Sequence, residues 1–100
     1  MRVEWSVFAL SDREEIFNYI EAESPQAAAI VDDRIQQQIG RLAKFPEMGR
    51  NGRVKETREL VIDHTPYIVA YRITDDAVRV LRVLHGAQLW PDEMPKEHRG

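Results

Sequence analysis

Cysteine is absent from the sequence, which excludes disulfide bonds, thiolate nucleophiles and cysteine-ligated zinc. Glycine and proline are few, with five of each in 100 residues, and no linker or low-complexity segment interrupts the chain. Long hydrophobic runs are also missing, since no window approaches the ~20 apolar residues that a membrane span needs. The first residues include the acid Glu4 and no apolar stretch, unlike a secretory signal. We therefore expect one domain in the cytoplasm, without membrane contact.

Basic residues are also fewer than acidic ones. The 14 lysines and arginines are outnumbered by 17 aspartates and glutamates, which gives a net charge of −3. This balance argues against direct binding of nucleic acid, because proteins that bind it carry a strongly basic surface. The exception is residues 44–58, which hold five basic and two acidic residues and which we call the cationic segment. Its charge is typical either of a binding site or of an ordinary solvated loop.

The usual sequence motifs of cofactor and metal sites are missing too. The chain has no Walker-type GxxxxGK, no GxGxxG and no HExxH. The histidines, at positions 64, 85 and 98, do not have the spacing of metal ligands. We therefore expect neither a metal nor a cofactor.

The N-terminal residues predict a strand followed by a helix. Residues 2–8 alternate between polar and apolar side chains, which is the period of a half-buried strand. The pattern Ser11-x-x-Glu14 is typical of a capping box and predicts a first helix from Ser11 to about residue 22. The acids of this stretch are then expected near the positive end of the helix dipole.

A second helix is predicted directly afterwards. Ser24 can cap it and Pro25 suits its first position, while Phe45-Pro46 ends it. Apolar residues recur at three- and four-residue spacing between these limits, which indicates one buried stripe. Because the two helices are separated by about two residues, we expect an antiparallel hairpin.

Three β-rich runs follow, over residues 58–63, 67–73 and 78–85, and they predict an antiparallel meander. The fold class is therefore α+β, in the order β-α-α-β-β-β. If residues 75–76 form a two-residue turn, Arg82 and His85 lie on opposite faces of the sheet. The pairs that this turn places on the helix-facing side are Ile73 with Val78, Tyr71 with Val80, Val69 with Arg82 and Tyr67 with Leu84.

Arginine and aromatic side chains near the sheet are the remaining candidates for chemistry. Metal-free RNA cleavage needs a proton carrier, for which Tyr71 or His85 would serve, and a phosphate clamp, for which Arg58 or Arg82 would serve. The alternative for Arg82 is a half-buried ion pair with an acid such as Glu59 or Asp63. The residues alone leave both interpretations open.

Four stretches, taken together, resemble the ParE branch of the RelE/ParE toxins of type II toxin-antitoxin modules. The resemblance covers residues 3–91, so we take residues 1–91 as one toxin domain and residues 92–100 as a polar tail. The stretches are Thr57-Arg58-Glu59-Leu60-Val61-Ile62, Pro66-Tyr67-Ile68-Val69-Ala70-Tyr71-Arg72, Leu81-Arg82-Val83-Leu84-His85-Gly86-Ala87-Gln88 and Trp90-Pro91.

This resemblance implies a growth inhibitor that forms a hetero-oligomer with its cognate antitoxin, whose C-terminal segment wraps the toxin. ParE-like members poison DNA gyrase, whereas RelE-like members cut mRNA on the ribosome. RelE-like nucleases carry a basic residue two positions after the glycine that ends the last strand, and a tyrosine beyond it. Here Gln88 occupies the first of these positions and no tyrosine follows Tyr71. The resemblance therefore favours gyrase poisoning, with an mRNA endonuclease or an inactive toxin that only binds antitoxin as the alternatives.

Two sets of residues are the candidates for the binding surfaces. The target-binding candidates belong to the cationic segment and to the chain just after the last strand, and the antitoxin-binding candidates are apolar residues of the first strand and first helix. The target-binding set is Arg50, Arg53, Arg58 and Trp90, and the antitoxin-binding set is Val3, Trp5, Leu10, Phe17 and Ile20.

Overall fold

The fold, seen in a computed structural model that describes residues 1–88 and 90–94, places two helices against one face of a five-stranded sheet. This arrangement confirms the predicted α+β class. The described elements are β1 (Arg2–Trp5), α1 (Val7–Glu21), α2 (Pro25–Gly40), a 3₁₀ turn (Arg41–Ala43), β2 (Arg50–Asn51), β3 (Arg58–Val61), β4 (Tyr67–Ile73) and β5 (Ala77–His85).

Helix α1 begins earlier than the sequence pattern predicts. Its N-cap is Ser6, whose hydroxyl accepts a hydrogen bond of 3.0 Å from the Ala9 amide and donates one of 2.8 Å to the Leu81 carbonyl. The predicted capping box at Ser11 and Glu14 is therefore wrong, because both residues lie inside the helix. The buried contact with β5 decides the start of the helix, and a local pattern does not reveal such a contact.

Helix α2 agrees with its prediction. The Ser24 hydroxyl accepts a hydrogen bond of 3.1 Å from the Ala27 amide, and Pro25 is the first helical residue. The chain then leaves the helix through the 3₁₀ turn before Phe45-Pro46. The apolar stripe faces the sheet, and its fully buried members are Ala28, Ile35, Ile39 and Leu42.

The sheet has the strand order β1-β5-β4-β3-β2. The meander of β3, β4 and β5 is antiparallel, as predicted, and β1 pairs in parallel with β5. The two-residue strand β2 extends the sheet beyond the prediction, which assigned no strand to this part of the cationic segment. The cationic segment is thus partly held by the sheet.

The register between β4 and β5 changes at a β-bulge. Tyr71 pairs with Val80, but Ala70 pairs with Arg82, so Leu81 is an extra residue on β5. The predicted pairs of Ile73 and Tyr71 are confirmed, whereas those of Val69 and Tyr67 are wrong. The observed partners after the bulge are Val83 for Val69, Leu84 for Ile68 and His85 for Tyr67.

The bulge has a clear energetic reason. Without it, the alternation of β5 would direct Arg82 into the core between sheet and helices, and burying an unpaired guanidinium is very costly. The extra residue brings Val83 into that core instead, where it is 2% exposed. Leu81 then joins a second, smaller cluster on the opposite face of the sheet, with Ala70 and Met94.

Part of the predicted tail is seen in this second cluster. Met94 is 8% exposed and packs with Ala70 and Leu81, and Trp90 lies against the same cluster. The predicted tail residues 95–100 lie outside the described residues.

The cap of α1 gives a direct test of this fold. Ser6→Ala removes two buried hydrogen bonds, one of them to the Leu81 carbonyl, so we expect it to lower the free energy of unfolding by about 1–3 kcal/mol. Ser11→Ala is the matched control, because Ser11 is exposed within the helix and alanine favours helix formation. Urea unfolding of both variants measures the difference, and equal losses would contradict Ser6 as the cap.

Candidate functional site

Tyr71 is a structural residue in this fold. Its side chain is fully buried, and its hydroxyl donates a hydrogen bond of 2.7 Å to the Pro46 carbonyl and accepts one of 2.9 Å from the Gly49 amide. A Cβ atom on Gly49 would lie 2.6 Å from the tyrosine oxygen, so this close approach requires glycine. The hydroxyl therefore anchors the start of the cationic segment, and both of its hydrogen-bonding roles are occupied.

Arg58 supports the same segment. Its terminal nitrogen Nη2 donates hydrogen bonds of 2.9 Å to the Glu47 carbonyl and 2.6 Å to the Gly49 carbonyl. Arg58 is paired with Tyr71 across β3 and β4, so the two side chains act together on the backbone of residues 46–49. This use of the guanidinium leaves it poorly placed to clamp a phosphate.

Arg82 is held by Asp12 on α1. The carboxylate accepts bonds of 2.6 and 2.9 Å from the Arg82 guanidinium and a third, of 2.9 Å, from the Val83 amide. The side-chain hydrogen bond to Asp12 raises the pKa of Arg82 above its ordinary value, and it outweighs the opposing effect of burial. The predicted partners Glu59 and Asp63 are therefore wrong. Asp12 belongs to the second turn of α1, away from the helix terminus to which the sequence pattern assigned it.

His85 and Arg82 line the same cleft, of about 610 Å³, between α1 and the end of β5. The ladder keeps these two residues on opposite faces, as predicted, but it exchanges the faces: His85 pairs with Tyr67, which packs in the main core, and Arg82 pairs with Ala70 of the second cluster. The Arg82 guanidinium reaches the cleft through its bonds to Asp12. The imidazole Nδ1 accepts a hydrogen bond of 3.0 Å from the Ala87 amide, and the ring meets Tyr67 edge-on at 5.7 Å between centroids. Burial raises the pKa of Tyr67, and Tyr19 adds to the shift.

The four nuclease candidates therefore fall into two separate groups. Tyr71 and Arg58 hold the backbone around Gly49, whereas Arg82 and His85 line the cleft beside α1. In-line RNA cleavage needs a proton carrier and a phosphate clamp at one reacting group. The geometry does not bring the predicted set together at such a point.

The cationic segment converges on Glu59 of β3. This carboxylate is 3% exposed and accepts a bond of 3.2 Å from the Arg50 side chain, together with bonds of 3.1 and 2.8 Å from the side chain and the backbone of Arg53. The Arg53 guanidinium also lies 3.7 Å from the centroid of the Trp90 ring, within the range of a cation–π contact. Arg50, Arg53 and Trp90 thus form one surface, which we call the arginine–tryptophan face.

Arg58 does not contribute to the arginine–tryptophan face. Because successive side chains of a strand leave opposite faces, Arg58 and Glu59 point to different sides of the sheet. The structure therefore brings together three of the four predicted target-binding residues.

The predicted antitoxin-binding residues also divide into two groups. Val3, Trp5 and Ile20 are half-buried and pack against the main core. Leu10 and Phe17, by contrast, line a shallow groove of about 330 Å³ beside the α1–α2 contact, which we call the helix groove. The remaining lining residues of the helix groove are Arg13, Glu14 and Asp32.

An ion pair and exposed apolar side chains characterise the helix groove. Arg13 Nε lies 2.6 Å from Asp32 Oδ1, so α1 and α2 are joined by a salt bridge within the groove. Leu10 is 47% exposed, and Val7, one turn before it, is 73% exposed. Exposed apolar residues in a row on one helix are typical of a protein-binding surface.

Sequence reasoning missed the buried Asp12 and the true partners of the buried Glu59, Arg50 and Arg53. Asp12 lies three residues after the buried Ala9 and four before Ile16, so it belongs to the inward stripe of α1 once the helix is known to begin at Val7. Glu59 stands between Arg58 and Leu60 in a β-rich run, and its position alone could have indicated a buried partner for the arginines.

Residues 1–88 and 90–94 contain no group of acidic or histidine side chains arranged to hold a metal ion. None of the helices in the same residues is long and apolar enough to cross a membrane.

Comparisons with known proteins agree with this architecture. A family model described as the ParE toxin of the type II toxin-antitoxin system parDE matches residues 3–90. The chain belongs to the ParE toxin family. It is 48% identical over 90 residues to "Putative toxin Y4kP" of Sinorhizobium fredii, a match that covers 90% of this chain and 93% of the relative. It is 36% identical to "Toxin RelE2" of Caulobacter vibrioides, over 88% of this chain and 98% of the relative.

A solved structure shares the fold of this ParE-family toxin. The chromosomal ParDE system from P. aeruginosa contains a chain that matches with a TM-score of 0.74, covering 83% of this chain and 92% of its own. The sequence identity is 23%, so the likeness shows the fold alone. The helix hairpin against a twisted sheet is thus the ParE-like arrangement that the resemblance implied.

Glu59 gives the ParE-family toxin a characteristic pH dependence. Burial raises the pKa of Glu59, but hydrogen bonds from Arg53 and Arg50 outweigh it, so the pKa lies below its ordinary value of 4.5. The unfolded chain therefore takes up this proton first as the pH falls. We expect the stabilisation by Glu59 to be complete above pH 4.5 and to disappear as the pH falls through the lower, folded-state pKa.

Unfolding free energies of wild type and Glu59→Gln, measured over this acid range, test the expectation. The difference between the two proteins should shrink as the pH falls below 4.5. Glu23→Gln, at an exposed position, should keep the pH dependence of the wild type. A wild-type advantage that stays constant into strong acid would contradict a lowered pKa at Glu59.

Proposed function

We propose that this ParE-family toxin inhibits growth in the cytoplasm by binding and poisoning DNA gyrase, and that its cognate antitoxin neutralises it in a hetero-oligomer. The observation that supports this most is that three of the four nuclease candidates form intramolecular hydrogen bonds that hold the fold together. The Tyr71 hydroxyl and the Arg58 and Arg82 guanidinium groups are occupied by intramolecular hydrogen bonds. A toxin that acts by binding a protein needs no catalytic group, so these side chains are free to stabilise its fold.

The arginine–tryptophan face is the proposed contact with gyrase. Arg50 and Arg53 share the one carboxylate of Glu59, so the face retains one positive charge in excess. Their side chains are 58% and 42% exposed, although Glu59 beneath them is buried. Arginine and tryptophan are the residues that most often dominate protein–protein binding energy.

The helix groove is the proposed contact with the antitoxin. Leu10 and Phe17 provide apolar anchors about two turns apart on α1, which suits an amphipathic helix laid along the groove. The related fold in the P. aeruginosa structure belongs to a ParDE toxin-antitoxin system, which supports an antitoxin as the partner. Val3, Trp5 and Ile20 would then maintain the core beneath the groove without contacting the antitoxin directly.

An mRNA endonuclease is the second candidate function. Arg82 and His85 share the cleft beside α1, and one relative with 36% identity carries the name RelE2. This function would require cleavage chemistry from these two residues without the Tyr71 hydroxyl. An inactive toxin that only binds its antitoxin is the third candidate.

Induced expression without antitoxin distinguishes the three candidates. We expect growth to stop, double-strand DNA breaks to accumulate and supercoiling to fall while transcripts stay intact, because a gyrase poison traps cleaved DNA. Supercoiling gels, break assays and transcript integrity measure these outcomes in one culture. Intact DNA with cleaved transcripts would show a nuclease, and continued growth would show an inactive toxin.

The same culture can test the arginine–tryptophan face with matched variants. Removing the Arg50 and Arg53 side chains alone would leave the Glu59 carboxylate buried without a positively charged partner, so the informative variant is Arg50→Gln/Arg53→Gln/Glu59→Gln. The single variant Glu59→Gln is its control, because it lacks the same carboxylate and keeps both arginines. We expect the triple variant to lose growth inhibition and the single variant to retain it; equal toxicity would exclude this face from gyrase binding.

If the antitoxin binds in the helix groove, a charged substitution of an apolar residue that lines the groove should weaken antitoxin binding. Leu10→Glu places a charge on the exposed apolar surface and should weaken antitoxin binding by roughly tenfold or more, as expected for an anchor residue. Glu14→Gln, on the rim of the same groove, is the control and should change the affinity by less than about threefold. Calorimetric titration with the cognate antitoxin measures both, and unchanged affinity for Leu10→Glu would place the antitoxin elsewhere.

A further inference from the structure

Arg72 occupies an unusual position on the sheet. It lies near the end of β4 and leaves the same face as Ala70, which is the face opposite the helices. Its partner across the ladder is Arg79 on β5, whose own partner on β1 is Glu4. One row of the sheet therefore carries one acid and two bases side by side, and we call it the arginine row.

The charges of the arginine row are unequally compensated. Glu4 Oε1 accepts a hydrogen bond of 2.8 Å from Arg79 and thereby neutralises it. Arg72, by contrast, forms no hydrogen bond or ion pair within the described part of the chain, and its Nε is shielded from solvent without a hydrogen-bond partner. Arg72 therefore adds an uncompensated positive charge to the sheet, and a shielded donor without a partner carries a free-energy cost of its own.

We propose that Arg72 binds a carboxylate from an acidic segment of a protein partner. The planar guanidinium presents parallel N–H donors that match the two oxygens of a carboxylate, so Asp or Glu can satisfy it in a bidentate manner. A carboxylate at this position would also neutralise Arg72, as Glu4 neutralises Arg79 in the same row. Neither effect depends on which cellular target the toxin inhibits.

The surroundings of the arginine row favour a peptide over nucleic acid. The net charge of the protein is −3, and a nucleic acid gains affinity mainly from many neutralised phosphates. One uncompensated arginine on a protein of negative net charge therefore matches an acidic polypeptide segment better than a nucleic acid.

Fluorescence anisotropy of the full chain with a labelled hexaglutamate peptide at low salt tests the proposal. We expect binding to wild type, a loss of about tenfold in affinity for Arg72→Gln, and partial recovery for Arg72→Lys, which keeps the charge without the bidentate geometry. Arg41→Gln is the matched control, because Arg41 is an exposed arginine of the 3₁₀ turn and the charge change is the same. Its affinity should equal that of wild type.

Several outcomes would overturn the proposal. Equal losses for Arg72→Gln and Arg41→Gln would show a non-specific effect of net charge, and no peptide binding to wild type would exclude the site. Tighter binding of a labelled oligothymidine of matched charge, lost in Arg72→Gln, would assign the arginine to nucleic acid. Growth inhibition and gyrase poisoning by Arg72→Gln, measured alongside peptide affinity, keep this test separate from the proposed function. A variant that loses peptide binding can still inhibit growth.

Discussion

The hydrogen bonds between the Asp12 carboxylate and strand β5 are the interaction on which the packing of helix against sheet in this toxin depends. The carboxylate joins the helical layer to the sheet through three hydrogen bonds, two from Arg82 and one from the Val83 amide. Those residues follow the extra residue of the β5 bulge, so the carboxylate fixes the strand where its register changes. Asp12 is 8% exposed, and a buried carboxylate without the Arg82 partner would be strongly destabilising, so the bulge and the ion pair depend on each other.

This arrangement also explains why a chain with so many arginines need not be a nuclease. The register set by the bulge brings Val83 into the core and moves Arg82 to the edge of the cleft. Tyr71, on the unshifted side of the bulge, stays buried and holds Gly49 and Pro46. The residues that could have formed one catalytic set are thus separated by the same feature that completes the hydrophobic core.

The sequence predicted those parts of the fold that local patterns determine. Ser24 and Pro25 mark the start of α2, and alternation and turn chemistry locate the meander, because neighbouring residues alone fix these features. The start of α1 and the register after Leu81 were beyond local patterns, since contacts between Ser6 and β5 and between Asp12 and β5 decide them. The candidate site follows the same division: the sequence showed the arginines of the cationic segment, but the pairing of Arg50 and Arg53 with Glu59 depends on contacts between β2, β3 and the following loop.

The two proposed binding surfaces lie on opposite sides of the sheet, and this constrains neutralisation. An antitoxin confined to the helix groove would leave Arg50 and Arg53 exposed on the other side, free to meet the target. To cover both surfaces, an antitoxin must pass around the molecule, whose narrow dimension is 28 Å. An extended segment of about nine residues spans that distance. An acidic residue near the far end of such a segment would reach the side of the sheet that carries Arg72, so the arginine row offers the second anchor that a wrapping partner needs.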